Sequence, residues 1–171
     1  KMPLKIHIKS GQQIIINGAV IENAGPRNVS LVVKNEASIL RSSDILTPEN
    51  AVTPASRVYY ALQCMYLFPG QKDKYLRQFN ELIDSYVEAA PSSRETVSAI
   101  KDYTDQEQFY YALKKAQDLI KHEHEVLAHV QQEFVEKLRD STDSGNQRAG
   151  GGRSVGADAG GLADDRGTGN G

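Results

Sequence analysis

The sequence predicts an α+β protein. A small N-terminal antiparallel β module spans residues 1–46, a C-terminal bundle of about four helices spans 47–140, and a disordered glycine-rich tail spans 141–171. Three observations predict this. Residues 3–41 form short β-branched runs cut by tight-turn residues. Residues 54–138 space their apolar side chains three and four apart. Ten of the fourteen glycines lie in 141–171. A chain of 171 residues accommodates one ordinary domain or two small ones.

In the β module, Leu4, Ile6 and Ile8 alternate with Lys5, His7 and Lys9, the period-two pattern of a strand with one buried face. Ser10-Gly11 ends that run. Ile14-Ile15-Ile16 leads into Asn17-Gly18 and then Val20-Ile21, which places Asn17-Gly18 at a two-residue hairpin turn. Both residues tolerate the positive φ that such a turn requires. Ala24-Gly25-Pro26 turns the chain before the run Val29–Val33, and Asn35-Glu36 turns it again before Ile39-Leu40-Arg41. So small a module has no room for a catalytic cleft.

Thr47-Pro48-Glu49 and Thr53-Pro54 are helix-start signals. A first helix is expected over 55–68, with an apolar stripe of Val58, Leu62, Met65 and Tyr66, stopped by Pro69-Gly70. A second over 72–90 carries Leu76, Phe79, Leu82, Ile83, Tyr86 and Val87 on one face. Pro91-Ser92-Ser93 ends it, and either serine is suited to cap a third helix running through Ile100. The fourth, over 105–138, repeats apolar residues at four-three spacing through Phe109, Leu113, Ala116, Ile120, Leu127, Val130 and Phe134, with Glu123 interrupting. A repeat of that length implies a long partner: the three shorter helices of the same chain, or another subunit in a homodimer. From Ser141 onward the only large apolar residues are Val155 and Leu162, too few to offset the entropy of ordering the segment.

The net charge of −2 is unevenly distributed, at +3 over 1–46, −4 over 47–140 and −1 over 141–171. The positive module permits contact with a polyanion, and its candidate RNA-binding cations are Lys5, Lys9, Arg27, Lys34 and Arg41. Cys64 is the only cysteine, so neither an internal disulfide nor a zinc cluster is available. Its setting, ALQCMYLF, suggests a buried small hydrophobe. No apolar run approaches the roughly 20 residues of a membrane helix, and the N-terminus lacks a charged-then-apolar leader. The expected location is therefore the cytoplasm. In KHEHEVLAH, His122, His124 and His129 accompany Glu123 and Glu125. The zinc-protease pattern needs two histidines four apart, whereas His124 and His129 are five apart, so a solvated helix face is expected and neither metal nor cofactor. Phosphate loops and nucleophile elbows are also missing from the sequence, which argues against an enzyme. Six of the eight tyrosines sit as pairs or neighbours in the helices (Tyr59, Tyr60, Tyr66, Tyr75, Tyr110, Tyr111). They read as core residues with wet hydroxyls, or alternatively as platforms for stacking bases. The β module itself has no aromatic residue.

Taken in order over residues 2–138, MPLKIHIK, IIINGAVIEN, DILTPE, YYALQCMYLFPG, FNEL, AAPSSRE and YYALKKAQDLI make the chain resemble the FlbT family of flagellar regulators from alpha-proteobacteria. The resemblance implies post-transcriptional repression of flagellin synthesis, through association with the 5′ untranslated leader of flagellin mRNA and promotion of its decay, with the small protein FlaF as a partner. The β module also resembles the CsrA family of dimeric RNA-binding proteins, in IKSGQQIIING followed by VSLVV and LR. Arg41 falls near the arginine that follows the last strand of that family. The family's first-strand arginine position is occupied here by Ile8, with Lys5 and Lys9 on either side as point charges rather than bidentate forks. Two readings follow. One is an RNA-binding repressor working through the module's cations. The other is an adaptor whose acidic helical half binds flagellin or FlaF and acts on mRNA indirectly.

Overall fold

Asn17 and Gly18 adopt φ of 50° and 83°, and this turn joins β2 (Gln13–Ile16) to β3 (Ala19–Glu22) in the expected hairpin. The computed structural model describes residues 2–146; the tail reading for 147–171 lies outside the described residues. β2 also pairs antiparallel with β5 (Ile39–Arg41), giving the order β3-β2-β5, while β1 (Leu4–Ile8) pairs antiparallel with β4 (Val29–Val33) in a separate two-stranded sheet. The fold is thus α+β, with antiparallel strands preceding four helices.

The three consecutive isoleucines of β2 have a simple cause, because both faces of this central strand are covered. Ile14 and Ile16 belong to a small cluster with Ile6, Ile8 and Ile39. Ile15 and its pairing partner Leu40 join the helical core instead. A strand covered on both sides shows a continuous apolar run rather than alternation.

Helix α1 (Pro54–Leu67) starts at a capping box in which Ser56 N–H donates to Thr53 Oγ1 (3.2 Å) and Thr53 N–H to Ser56 Oγ (2.8 Å). It is buried on most of its circumference, through Ala55, Val58, Tyr59, Leu62, Cys64 and Met65 among others. Helix α2 (Lys72–Ala89) covers it with Phe79, Ile83 and Tyr86, and α3 (Arg94–Asp105) adds Val97 and Ile100. From α4 (Phe109–Asn146), Leu113, Ala116 and Leu119 complete this core.

Strand β5 and the segment joining it to α1 are bound by three side chains of that helix at i, i+4 and i+7. Tyr59 Oη donates to Asp44 O. Gln63 accepts from Leu46 N–H (2.8 Å) and donates to Leu46 O (2.9 Å). Tyr66 Oη accepts from Ile39 N–H (2.8 Å). Backbone groups removed from water need such partners.

Several boundaries differ from the sequence expectation. Helix α3 continues past Ile100 to Asp105 and ends in a Schellman motif, with Gln108 N–H bonding Tyr103 O and Glu107 N–H bonding Thr104 O. Glu107, with φ of 56°, occupies the position where glycine is usual. That substitution hides the helix end, and α4 begins at Phe109 rather than 105. Neither serine supplies the expected side-chain cap to α3; Ser93 Oγ donates back to Ala90 O (2.6 Å) at a 3₁₀ turn. Helix α4 also runs beyond 138 to Asn146. Its last stretch lacks apolar periodicity but is still helical, with Ser141 and Thr142 hydroxyls donating to Lys137 O and Leu138 O.

Packing divides the chain between His129 and Val130. The first unit holds the strands, α1–α3 and α4 through His129. In the second, α4 continues with Val130, Phe134, Val135 and Leu138 exposed.

Gln63→Ala strands both backbone groups of Leu46, and should lower stability by about 2 kcal/mol in urea titration. Burial pushes the phenols of Tyr59 and Tyr86 up to about 12, from an ordinary value near 10. Between about pH 10 and 12 the unfolded chain therefore binds fewer protons than the native one, so stability falls as pH rises through that window. Urea midpoints measured across it should fall, and less steeply in Tyr86→Phe.

Candidate nucleic-acid interface

The register of β1 with β4 places Lys5 opposite Val32 and His7 opposite Ser30, on the outward face. His7 Nδ1 and Ser30 Oγ are hydrogen-bonded at 2.8 Å. Lys9 follows the far end of β1, where Gln12 N–H donates to its carbonyl (3.0 Å). Arg27 sits in the loop before β4 and Lys34 just after β4, so these two lie beyond opposite ends of the strand. The five predicted cations therefore do not form one patch.

Two of them do converge. Arg41 ends β5 on the face it shares with Ile14, and its Nη1 donates to His7 O (3.4 Å). Lys5 and Arg41 line a cleft of about 410 Å³ together with Asp44, Tyr66, Tyr110 and Lys114. Lys114 Nζ stands 3.8 Å from Asp44 Oδ2 and 5.6 Å from the centre of the Tyr110 ring. Tyr110 is 41% exposed, and its ring lies 6.1 Å from that of Tyr66 and 5.8 Å from that of Tyr111. Tyr66 and Tyr110 also line an adjoining cleft of about 590 Å³ with Asn17, Ser38 and Tyr111. Three cations against one carboxylate, beside exposed tyrosine rings, suit a ligand with anionic groups and flat faces. Tyr110 and Tyr111 thus depart from the core role, whereas Tyr59 and Tyr86 fill it.

Sequence reasoning passed over Lys114 because it sits in the acidic half. The usable signal was its spacing four residues from Tyr110, which puts the two on one helix face. It also passed over Asn23, which is buried. Asn23 Nδ2 donates to Ile8 O (3.1 Å) and Arg27 O (2.8 Å), while Oδ1 accepts from Gly25 N–H (3.1 Å). This side chain ties the Arg27 loop to the end of β1.

The histidine cluster is a solvated face only in part: His124, Glu125 and His129 are exposed as expected, and the departures are His122 and Glu123. His122 hydrogen-bonds Tyr86 Oη (3.1 Å) and Ser92 Oγ (2.8 Å), and Glu123 is buried. Cys64 is buried as expected, and desolvation raises its thiol pKa. Among the described residues no group of three His, Cys, Asp or Glu side chains is disposed to hold a metal, and no helix is long and apolar enough to cross a membrane.

These features define a small α+β protein whose β module and helices enclose a cationic, tyrosine-lined cleft. Comparison with known proteins gives the family. The sequence model described as "Flagellar protein FlbT" matches residues 4–127. The chain is 41% identical over 130 residues to the probable flagellum biosynthesis repressor protein FlbT of Rhodopseudomonas palustris strain TIE-1, covering 74% of this chain and 99% of that protein. It is 34% identical over 131 residues to the flagellum biosynthesis repressor protein FlbT of Caulobacter vibrioides strain ATCC 19089, covering 75% and 92%. A Bradyrhizobium diazoefficiens relative, probable flagellum biosynthesis repressor protein FlbT 1, is 40% identical over 122 residues, covering 71% and 83%. No solved structure matches. The chain belongs to the FlbT family.

Asn23→Ala removes the tether of the Arg27 loop and leaves backbone carbonyls without their donor. It should cost about 1–3 kcal/mol of stability, measured by chemical denaturation, with Asn28→Ala, which loses an exposed bond from Ser10 N–H (3.3 Å), as a milder control.

Proposed function

We propose that this chain is a post-transcriptional repressor of flagellin synthesis, which associates with the 5′ untranslated leader of flagellin mRNA and promotes its decay. Family membership supports the repressor role. The observation that carries the RNA contact is the cleft in which Lys5, Arg41 and Lys114 stand beside Tyr66 and Tyr110. Cations there neutralise phosphates, and the exposed edge of Tyr110 offers an unstacked base an aromatic partner. Lys9, Arg27 and Lys34 lie outside that cleft and contribute longer-range attraction. The competing reading is an adaptor that binds flagellin or FlaF through the helices, and the apolar side chains exposed along α4 favour it. Co-purification of flagellin from RNase-treated extract, without RNA binding by the purified chain, decides for the adaptor.

The test of the RNA reading is titration of purified full chain with flagellin leader RNA over a range of salt. Arg41→Glu with Lys114→Glu should weaken binding at least tenfold and flatten the salt slope by roughly one phosphate contact per cation. Tyr110→Ala should cost about 1–3 kcal/mol of affinity. Unchanged affinity and slope in these variants would place the interface elsewhere.

A further inference from the structure

We infer that the cleft of about 590 Å³ beside the cationic one is a base-reading subsite, selective for an unpaired guanine whose adjoining phosphate lies in the cationic cleft. The inference rests on the RNA reading above and names the nucleotide that the site takes.

The two clefts meet at Ala37, Tyr66 and Tyr110, which line both, and both lie within the first unit. Their charges are opposite. Lys5, Arg41 and Lys114 against Asp44 leave the smaller cleft positive. The larger is lined by Lys72, Glu36 and Glu107. Lys72 Nζ is already engaged by Glu107 Oε1, so what this cleft offers a ligand is carboxylate oxygen. A phosphate is attracted to the first cleft and repelled by the second. An RNA strand crossing their shared boundary therefore places a phosphate on one side and a base on the other.

The larger cleft is furnished for a base. Tyr111 is 57% exposed, and Tyr103 stacks against its ring at 5.8 Å with 28° between the planes. Tyr110 meets the same ring edge-on, at 5.8 Å and 77°. Backed and flanked in this way, Tyr111 is a rigid surface on which a flat base can stack. Selection among bases then comes from the carboxylates on the wall. A carboxylate accepts hydrogen bonds and donates none, and its acceptor sites number about four, so the ion pair with Lys72 leaves Glu107 capacity for more. Guanine alone presents two adjacent N–H donors, N1–H and the 2-amino group, on the edge that unpairing frees, and these match the two oxygens of one carboxylate. Adenine, cytosine and uracil place an acceptor beside their donor, which a carboxylate repels. The backbone points to Glu107 as the reader. Its φ of 56° lies in the left-handed region, where glycine is favoured on conformational grounds, and the carboxylate stands there in spite of that cost.

The test is titration of the full chain with a single-stranded RNA carrying one guanosine among uridines, and with the same RNA carrying inosine in its place. Inosine lacks only the 2-amino group. Guanosine should bind about tenfold tighter, the scale of a bidentate contact. Glu107→Gln should abolish that ratio while the circular-dichroism melt is unchanged, since the side chain is 65% exposed. Glu107→Asp, which keeps the carboxylate, should retain part of the ratio. Arg41→Glu should instead weaken both RNAs alike and flatten the salt slope, leaving the ratio as it was. Equal binding of the two RNAs, with a salt slope that still depends on Arg41, overturns the guanine subsite and leaves the RNA reading standing. A ratio that survives Glu107→Gln also overturns it. If neither RNA binds, the RNA reading fails and the subsite with it.

Discussion

Hydrogen bonds from one face of α1 to β5 and to the segment between that strand and the helix are what the remaining structure rests on. Tyr59, Gln63 and Tyr66 satisfy backbone groups of Asp44, Leu46 and Ile39, so the strand module and the helices share a single spine. A helix that uses one face for latching and the rest for packing has little surface left for water, and α1 is accordingly buried around most of its girth. Its neighbours follow from that burial. Helices α2, α3 and α4 present apolar stripes to α1, and Leu40 and Ile15 present the sheet's inner face to the same core. The polar side chains on α1 are fixed by the same demand, because each must meet a backbone group that has lost its water.

Much of this was legible in the sequence, for reasons specific to particular residues. Alternation in Leu4–Ile8 and the Asn17-Gly18 pair each encode one local geometry. The structure has the turn, and it has the alternation at Ile6 and Ile8, which are buried, while Leu4 at the start of the strand is exposed. Triple isoleucine was also correctly a strand, although only the structure explains why it does not alternate: β2 is packed from both sides. The end of α3 was not legible, since its left-handed residue is Glu107 and not a glycine. Nor was the extension of α4, where backbone and hydroxyl hydrogen bonds continue the helix after the apolar signal stops.

The candidate site was legible only in part, because a cleft is assembled from residues far apart in sequence. Composition pointed to the basic β module and found Lys5 and Arg41. It could not show that Lys114, from an acidic region, stands with them, nor that Tyr110 supplies the aromatic face the module lacks. Sequence position likewise treated Glu123 as a break in a heptad, whereas the fold uses it to cap the start of α1. Charge totals by region average over such juxtapositions. What decides the chemistry is which side chains the β5–α1 latch carries to the same place.

The two cores also differ in when they can close. Ile6, Ile8 and Ile14 come from the first strands, and their supporting residues end at Ile39. A chain emerging from the ribosome N-terminus first has all of that small cluster in hand before α1 exists. Leu40 and Ile15 have no such recourse, because their core partners begin at Ala55 and extend to Leu119. The sheet therefore leaves the ribosome with one face closed and the other still greasy, and only the later arrival of α1 covers it. For the nascent protein, the latch side chains of α1 sit on the very helix that ends this exposure.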